Sequence, residues 1–500
     1  MMQAKWIRFP QAGVVAIACI FAAAYFMTAV PRLLYPYDLD FIEDSMLMQS
    51  LRVAQGQPIY LPPNADFNPH VYMPLFFWLG GALLKLTGPS LPVMRLISLG
   101  ATLATTGLIY WIARRESGRL WLAVASAGLF LGGYALNGFW YELARVDSLF
   151  VALTLGGLAI AIYAGESRRR LVAAGFVLAL AALTKQTGFI VAGGIAIFLL
   201  TTTGRRAWAF ILSFSGLTII TLLILNLTTD GWFFYHVFHI GSADPVELSR
   251  LIHFFSTEVF GVMAGLSAMA ALATILGARQ AGWKVWREQA WLVGIALALL
   301  VSAMGRMRVG GNLNNRMPAY AFLCLAPALL MKLLTPEGFG MPRPSYASRV
   351  RWRDALIYLL ILMQFALGRY SLPRHIPTSA MRLGGDRLVQ RIASIHGNVL
   401  VLMHPYYALL AGKQPSTQIA TLWYVRERGA LPLPDDFVQR VESLYYSAII
   451  SDDSSFEKMP DLQALLTANY PRYELLSSSE SPPTLTGVTV RPRVIYFPNP

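Results

Sequence analysis

The sequence predicts an all-α polytopic membrane protein of about 11 transmembrane helices, N-terminus inside, followed by a small C-terminal α/β domain on the outer side. Three observations carry this. Apolar runs of about 20 residues, the length that crosses a bilayer, recur through residues 1–370. The basic residues are segregated between the connections on alternate sides of those runs. Near Ser371 the composition changes to short β-rich runs separated by helical patterns.

Composition supports the class. The 500 residues are 55% hydrophobic and 14% charged, with a mean hydropathy of +0.50. A net charge of +14 would suit nucleic acid, so its placement decides. With each run crossing once, inner segments hold 18 bases against five acids. Outer segments up to Tyr370 balance 11 against 11, and the tail carries 12 bases and 11 acids. The excess is therefore the positive-inside bias of a membrane protein, and nucleic acid is excluded as a partner. The two cysteines, Cys19 and Cys324, lie in apolar runs and give neither a disulfide framework nor metal-ligand spacing.

The first run, from about Ala12 to Val30, lacks a small-x-small cleavage site and reads as a retained helix. The outer loop that follows, residues 31–91, is acidic. Its Tyr35–Tyr60 stretch, YPYDLDFIEDSMLMQSLRVAQGQPIY, carries Asp38, Asp40, Glu43 and Asp44. A helix from Asp40 onward puts Asp40, Glu43 and Asp44 on one face. Met46, Leu47, Leu51 and Val53 beside Arg52 and Gln55 make it amphipathic, a helix lying at the membrane surface. Acids held there are placed for chemistry on a lipid-borne group. Pro69–Gly88 is nearly long enough to span, yet the charge count makes it an interfacial or re-entrant outer helix.

Further spans are expected at Pro92–Ala113, Leu120–Leu136, Asp147–Ala164, Leu171–Leu183 and from Gly188 to Arg205-Arg206. Others follow at Ala207–Leu227, from Phe254 to before Arg279, from Ala290 to Gly305, up to Lys332, and at Ala355–Leu367. In residues 371–500, NVLVLM (Asn398–Met403), SAIISDD (Ser447–Asp453) and RVIYFP (Arg493–Pro498) read as buried strands. Tyr406–Ala411, Asp435–Tyr446 and Pro460–Ala468 read as helices between them. About 130 residues suffice for a separate core.

The landmarks run in order: the acidic loop, YMPLFFWLGG, YELARVDSLF, ALTKQTGFI, TDGWFFYH and GGNLNNRMPAY. This order, over Ala12–Leu334, resembles the GT-C superfamily of polytopic glycosyltransferases. The resemblance is to its galacturonosyltransferase-like and aminoarabinose-transferase-like branches, and more distantly to protein O-mannosyltransferases. It implies a catalytic acid in the first outer loop, a polyprenyl-phosphate-linked sugar as donor, and a lipid, glycan or protein acceptor outside the cytoplasmic membrane. The tail looks like the variable extracytoplasmic domain such enzymes append. Here the Asp-Glu pair of the mannosyltransferase and aminoarabinose branches is reversed, Glu43-Asp44, so the base is one of Asp40, Glu43 and Asp44.

Transfer from a lipid phosphate to a hydroxyl needs a base for the hydroxyl and positive charge for the leaving phosphate. Lys185 at an outer hairpin, Arg306, Arg308 and Arg316 around Gly310-Gly311, and Arg145 are the phosphate-binding candidates. Asp147 reads as an N-cap. Asp230, His236 and His239 sit among Trp232, Phe233, Phe234 and Tyr235, an interfacial aromatic belt in place of a metal site. No metal set is assigned and a divalent ion stays open as cofactor. The rival class, a lipid or glycan transporter or flippase, fits less well with one long acidic loop, no matched broken helices and an appended outer domain.

Overall fold

The computed structural model describes residues 2–334, 347–452 and 459–499. Glu337 and Arg343, counted among the inner charges above, and Asp453 of the second expected strand lie outside them, as do the side chains of the inner bases Lys5, Arg8, Arg349, Arg351 and Arg353. The described residues form a multi-pass helical bundle with one small sheet.

Helix α1 (Met2–Leu33) enters the first loop, which holds α2 (Ile42–Ala54) and α3 (Leu75–Thr87). Then come α4 (Leu91–Ser117), α5 (Leu120–Gly132), α6 (Val146–Ile162), α7 (Arg168–Ala182), α8 (Gly188–Thr203) and α9 (Ala207–Thr228). The bundle continues with α10 (Trp232–Phe234), α11 (Leu248–His253), α12 (Ala264–Ala281), α13 (Val285–Glu288) and α14 (Ala290–Arg306). It closes with α15 (Met317–Leu323), α16 (Ala326–Leu334) and α17 (Ala347–Leu367). Gly175 lets α7 and α9 meet closely: a Cβ there would run into Ser213 and the backbone of Phe210.

Among the described residues, four helical stretches are long and apolar enough to cross a membrane: Pro10–Leu33, Leu91–Ser117, Gly188–Thr228 and Leu313–Leu334. Two bent pairs, Leu248–Val262 with Ala264–Glu288 and Asp354–Leu367 with Leu372–Ser394, raise this to six if each is one span. Leu120–Gly132, Val146–Ile162 and Ala290–Arg306 are apolar but shorter. The count of about 11 therefore rests on runs that the fold cuts short. They stop early because the chain unwinds between α5 and α6, between α7 and α8, and after α14. The first two of these unwound stretches carry Glu142, Arg145 and Lys185, and Asn315 lies in the 3-10 turn (Leu313–Arg316) that precedes α15.

Helix α2 departs from its expected place. Glu43 through Ser50 are all buried, so it is no surface helix but an element packed between α3 and the C-terminal residues. Its apolar face is continuous with buried Phe76 and Phe77 of α3 and Met94 of α4.

The C-terminal part has α18 (Ser379–Ser394), β1 (Asn398–Val401), α19 (Pro405–Leu410), α20 (Ile419–Glu427) and α21 (Asp435–Glu442). It ends with β2 (Tyr446–Asp452), α22 (Pro460–Asn469), β3 (Arg472–Leu475) and β4 (Pro492–Phe497). The sheet order is β1-β2-β4-β3, with β1 parallel to β2 and the other pairs antiparallel. The three expected strands are β1, β2 and β4. Strand β3 has all four residues exposed, so it has no buried face to read in the sequence.

Candidate functional site

The first loop is pinned from below by Arg95 of α4. Its five N–H groups are all used: Nε and Nη2 hold Glu43 at 2.8 and 2.6 Å. The others reach the carbonyls of Arg32 (2.9 Å), Tyr35 (2.6 Å) and Tyr37 (2.7 Å). Glu43 also accepts the amides of Ala144 and Leu39, each at 2.8 Å. Burial alone would raise the Glu43 pKa, but Arg95 and the two amides outweigh it and the carboxyl is held below its usual range. Glu43 is thus an ionised strut with every lone pair engaged, which does not suit it to accept a substrate proton.

Asp40 differs. It is 1% exposed, and its Oδ2 takes Nη1 of Arg145 at 2.6 Å. Its Oδ1 is buried with no hydrogen-bond partner among the described residues. Burial pushes its pKa up, against the pull of Arg145, to about 7. A carboxylate with a free oxygen and a pKa at neutrality is matched to general-base work. Arg145 is fixed by Tyr72 Oη (2.8 Å) and by the Trp140 ring, whose centroid lies 4.9 Å from its guanidinium carbon. Asp44 is fully buried, with only a 3.4 Å bond from the Tyr406 amide to its Oδ2. Burial and then Asp38 raise its pKa well above the usual value.

Asp147 is not the expected N-cap. Helix α6 starts at Val146, so Asp147 lies inside the first turn and its side chain points to Lys185 (2.7 Å) and Asn314 (3.0 Å). Lys185 also donates to Asn315 Oδ1 at 2.8 Å. The two expected cations Arg145 and Lys185 thus stand on the Asp40 side of the bundle, linked through Val146–Asp147. The other three do not form a free cationic cluster. Arg306 is paired bidentately with Glu258, and Arg316 lies 3.6 Å from the same carboxylate. Arg308 donates to the carbonyls of Ser242 and Asp244 and pins one interhelical loop to another. A buried acid, Glu258, took up the charge that the sequence reading assigned to phosphate.

The C-terminal part reaches into this centre. The Leu39 carbonyl accepts the amides of Leu485 (3.0 Å) and Thr486 (2.9 Å), and Thr486 Oγ1 accepts from Arg32 (2.7 Å). Gly487 has φ +72°, and a Cβ there would sit 3.1 Å from the free Oδ1 of Asp40. Arg32 itself pairs with buried Glu142 at 2.5 Å. The sequence reading missed Arg32, Arg95, Glu142 and His404. For Arg95 the signal was there: a charge within an apolar run is expensive unless it faces a partner.

His404 bears on the metal question. Asp38, Asp44 and His404 each offer a ligand atom, all within 4.8 Å of one another. Yet Nδ1 of His404 meets Asp38 at 2.8 Å and Nε2 meets Asp452 at 2.9 Å. Both ring nitrogens are thus engaged by carboxylates, one on the first loop and one at the end of β2. In the aromatic belt, His236 is buried and bonds the Leu61 carbonyl at 3.0 Å, and His239 stacks on Tyr235.

Comparison with known proteins agrees with this architecture. Residues 68–228 match the family model of dolichyl-phosphate-mannose-protein mannosyltransferases. No curated protein sequence matches the chain. Among solved structures, ArnT from Cupriavidus metallidurans in the apo state is 12% identical with a TM-score of 0.59, covering 99% of this chain and 98% of that one. The same protein bound to undecaprenyl phosphate is 13% identical with a TM-score of 0.59, covering 97% and 98%. The Archaeoglobus fulgidus oligosaccharyltransferase in complex with Zn and sulfate is 12% identical with a TM-score of 0.51, covering 95% and 72%.

Proposed function

Since this chain has the fold of the GT-C superfamily, we propose that it is a membrane glycosyltransferase taking a sugar from a polyprenyl monophosphate. The acceptor is a hydroxyl of a lipid, glycan or protein outside the cytoplasmic membrane. Asp40 is the base. Its free oxygen removes the acceptor proton as the acceptor oxygen bonds to the anomeric carbon and the bond to phosphate breaks. One such displacement inverts the anomeric centre. The leaving phosphate gathers negative charge, which Arg145 and Lys185 stabilise. Glu43 holds the loop, and Arg306 and Arg316 hold the outer connection that brings Asn314 and Asn315 to Asp147 and Lys185.

The observation that carries this reading is the buried Asp40 beside Arg145, one oxygen free and its pKa at about 7. The ArnT structure with undecaprenyl phosphate lends the donor class by analogy of fold. The test presents purified protein with a panel of labelled polyprenyl-phosphate sugars and follows released polyprenyl phosphate. Release that depends on an added acceptor fraction supports the reading. Binding without release for every donor, with flux across reconstituted vesicles, supports a transporter instead.

A further inference from the structure

We propose that His404 is a positioning residue of this centre: as an imidazolium it fastens the Asp38 end of the catalytic loop to the C-terminal sheet. The inference rests on the glycosyltransferase reading for its catalytic part only. Strands β1 and β2 are parallel, so their carboxyl ends lie side by side, with Val401 paired to Ile450. His404, three residues beyond Val401, and Asp452, the last residue of β2, therefore meet in the crevice outside those ends. The loop delivers Asp38 into that same crevice. The ring is 1% exposed and bridges two carboxylates, Asp38 at 2.8 Å and Asp452 at 2.9 Å.

As an imidazolium the ring donates from both nitrogens, which matches a carboxylate at each. The groups facing the ring are Asp38 and Asp44 from the first loop, Asp452 from β2, and Tyr407 of α19, whose ring centroid lies 6.0 Å away. Three buried acids lie round this one ring. Burial alone would lower the His404 pKa, but Asp38 and Asp452 outweigh it and raise it well above the usual value. Asp38 is two residues from Asp40, and Tyr37 stacks on Tyr407 at 5.0 Å. Releasing Asp38 frees the segment that aims the base. The C-terminal part is thereby a component of the catalytic centre.

The sign of the pH dependence follows. A histidine with a raised pKa lends its anchoring below its unfolded value, about 6.5, and loses it as pH rises through the folded value. Three measurements on the full chain in nanodiscs test this. Ring-¹⁵N-histidine NMR, with His404 assigned by His404→Gln, should show both nitrogens protonated at pH 7 and above. A neutral tautomer at pH 7 overturns the proposal. Hydrogen exchange over residues 36–44 should quicken at least tenfold in His404→Gln and recover in His404→Arg. Unchanged exchange overturns it. Neither readout needs a donor, so they stand or fall apart from the assigned activity. Turnover should fall about tenfold or more in His404→Gln, mostly in kcat, and its alkaline limb should disappear. Unchanged turnover with a confirmed imidazolium reduces His404 to a structural contact and overturns the proposal.

Discussion

Asp40 and Glu43 lie three positions apart in the chain and have opposite fates. Glu43 has Arg95 and two backbone amides; Asp40 has one cation and a bare oxygen. The consequences are measurable separately. Arg95→Ala leaves Glu43 as a buried charge without its cation and takes a donor from three carbonyls, which should cost about 3–5 kcal/mol of stability, read as a lower unfolding midpoint. No change in the midpoint would mean the strut is not bearing the loop. Arg145→Gln instead removes the charge that restrains the Asp40 pKa, so the pKa should rise above about 7. Less base is then ionised at neutral pH, and the acid limb of the rate profile should move to higher pH. An unmoved limb would show that a group other than Asp40 sets it.

At the scale of elements, the first loop and the hairpin around Gly487 meet over the free oxygen of Asp40. Gly487→Val puts a branched side chain at φ +72° against that oxygen and the Trp140 ring. Gly56→Val at φ +71° adds the same backbone strain with nothing within 4 Å of its Cβ. Turnover should fall at least tenfold more at Gly487 than at Gly56; equal losses would reduce the effect to backbone strain. These elements also mark where the sequence was legible. The acids of the loop, helix α3, Lys185 and strands β1, β2 and β4 announce themselves through unpartnered charge or apolar period. The partners do not: His404 lies 366 residues from Asp38, and Thr486 lies 454 from Arg32. No local pattern records such pairings. The shortened spans were illegible for a related reason, since an apolar run keeps its composition where buried polar contacts unwind it.

For the whole molecule, the basic excess of the inner segments predicts that reporters fused after Thr229 and after Pro500 both register outside the cytoplasm. A cytoplasmic signal at both would put the chemistry on the wrong side. The central claim is that this bundle and its tail form one glycosyltransferase whose base is Asp40. The most direct measurement compares single-turnover transfer from a labelled polyprenyl-phosphate sugar by the wild-type chain and by Asp40→Asn, at matched thermal stability and saturating donor. The substitution keeps shape and removes the proton acceptor, so transfer should slow by about a hundredfold or more, with donor binding retained. Transfer at the wild-type rate by Asp40→Asn would contradict the account.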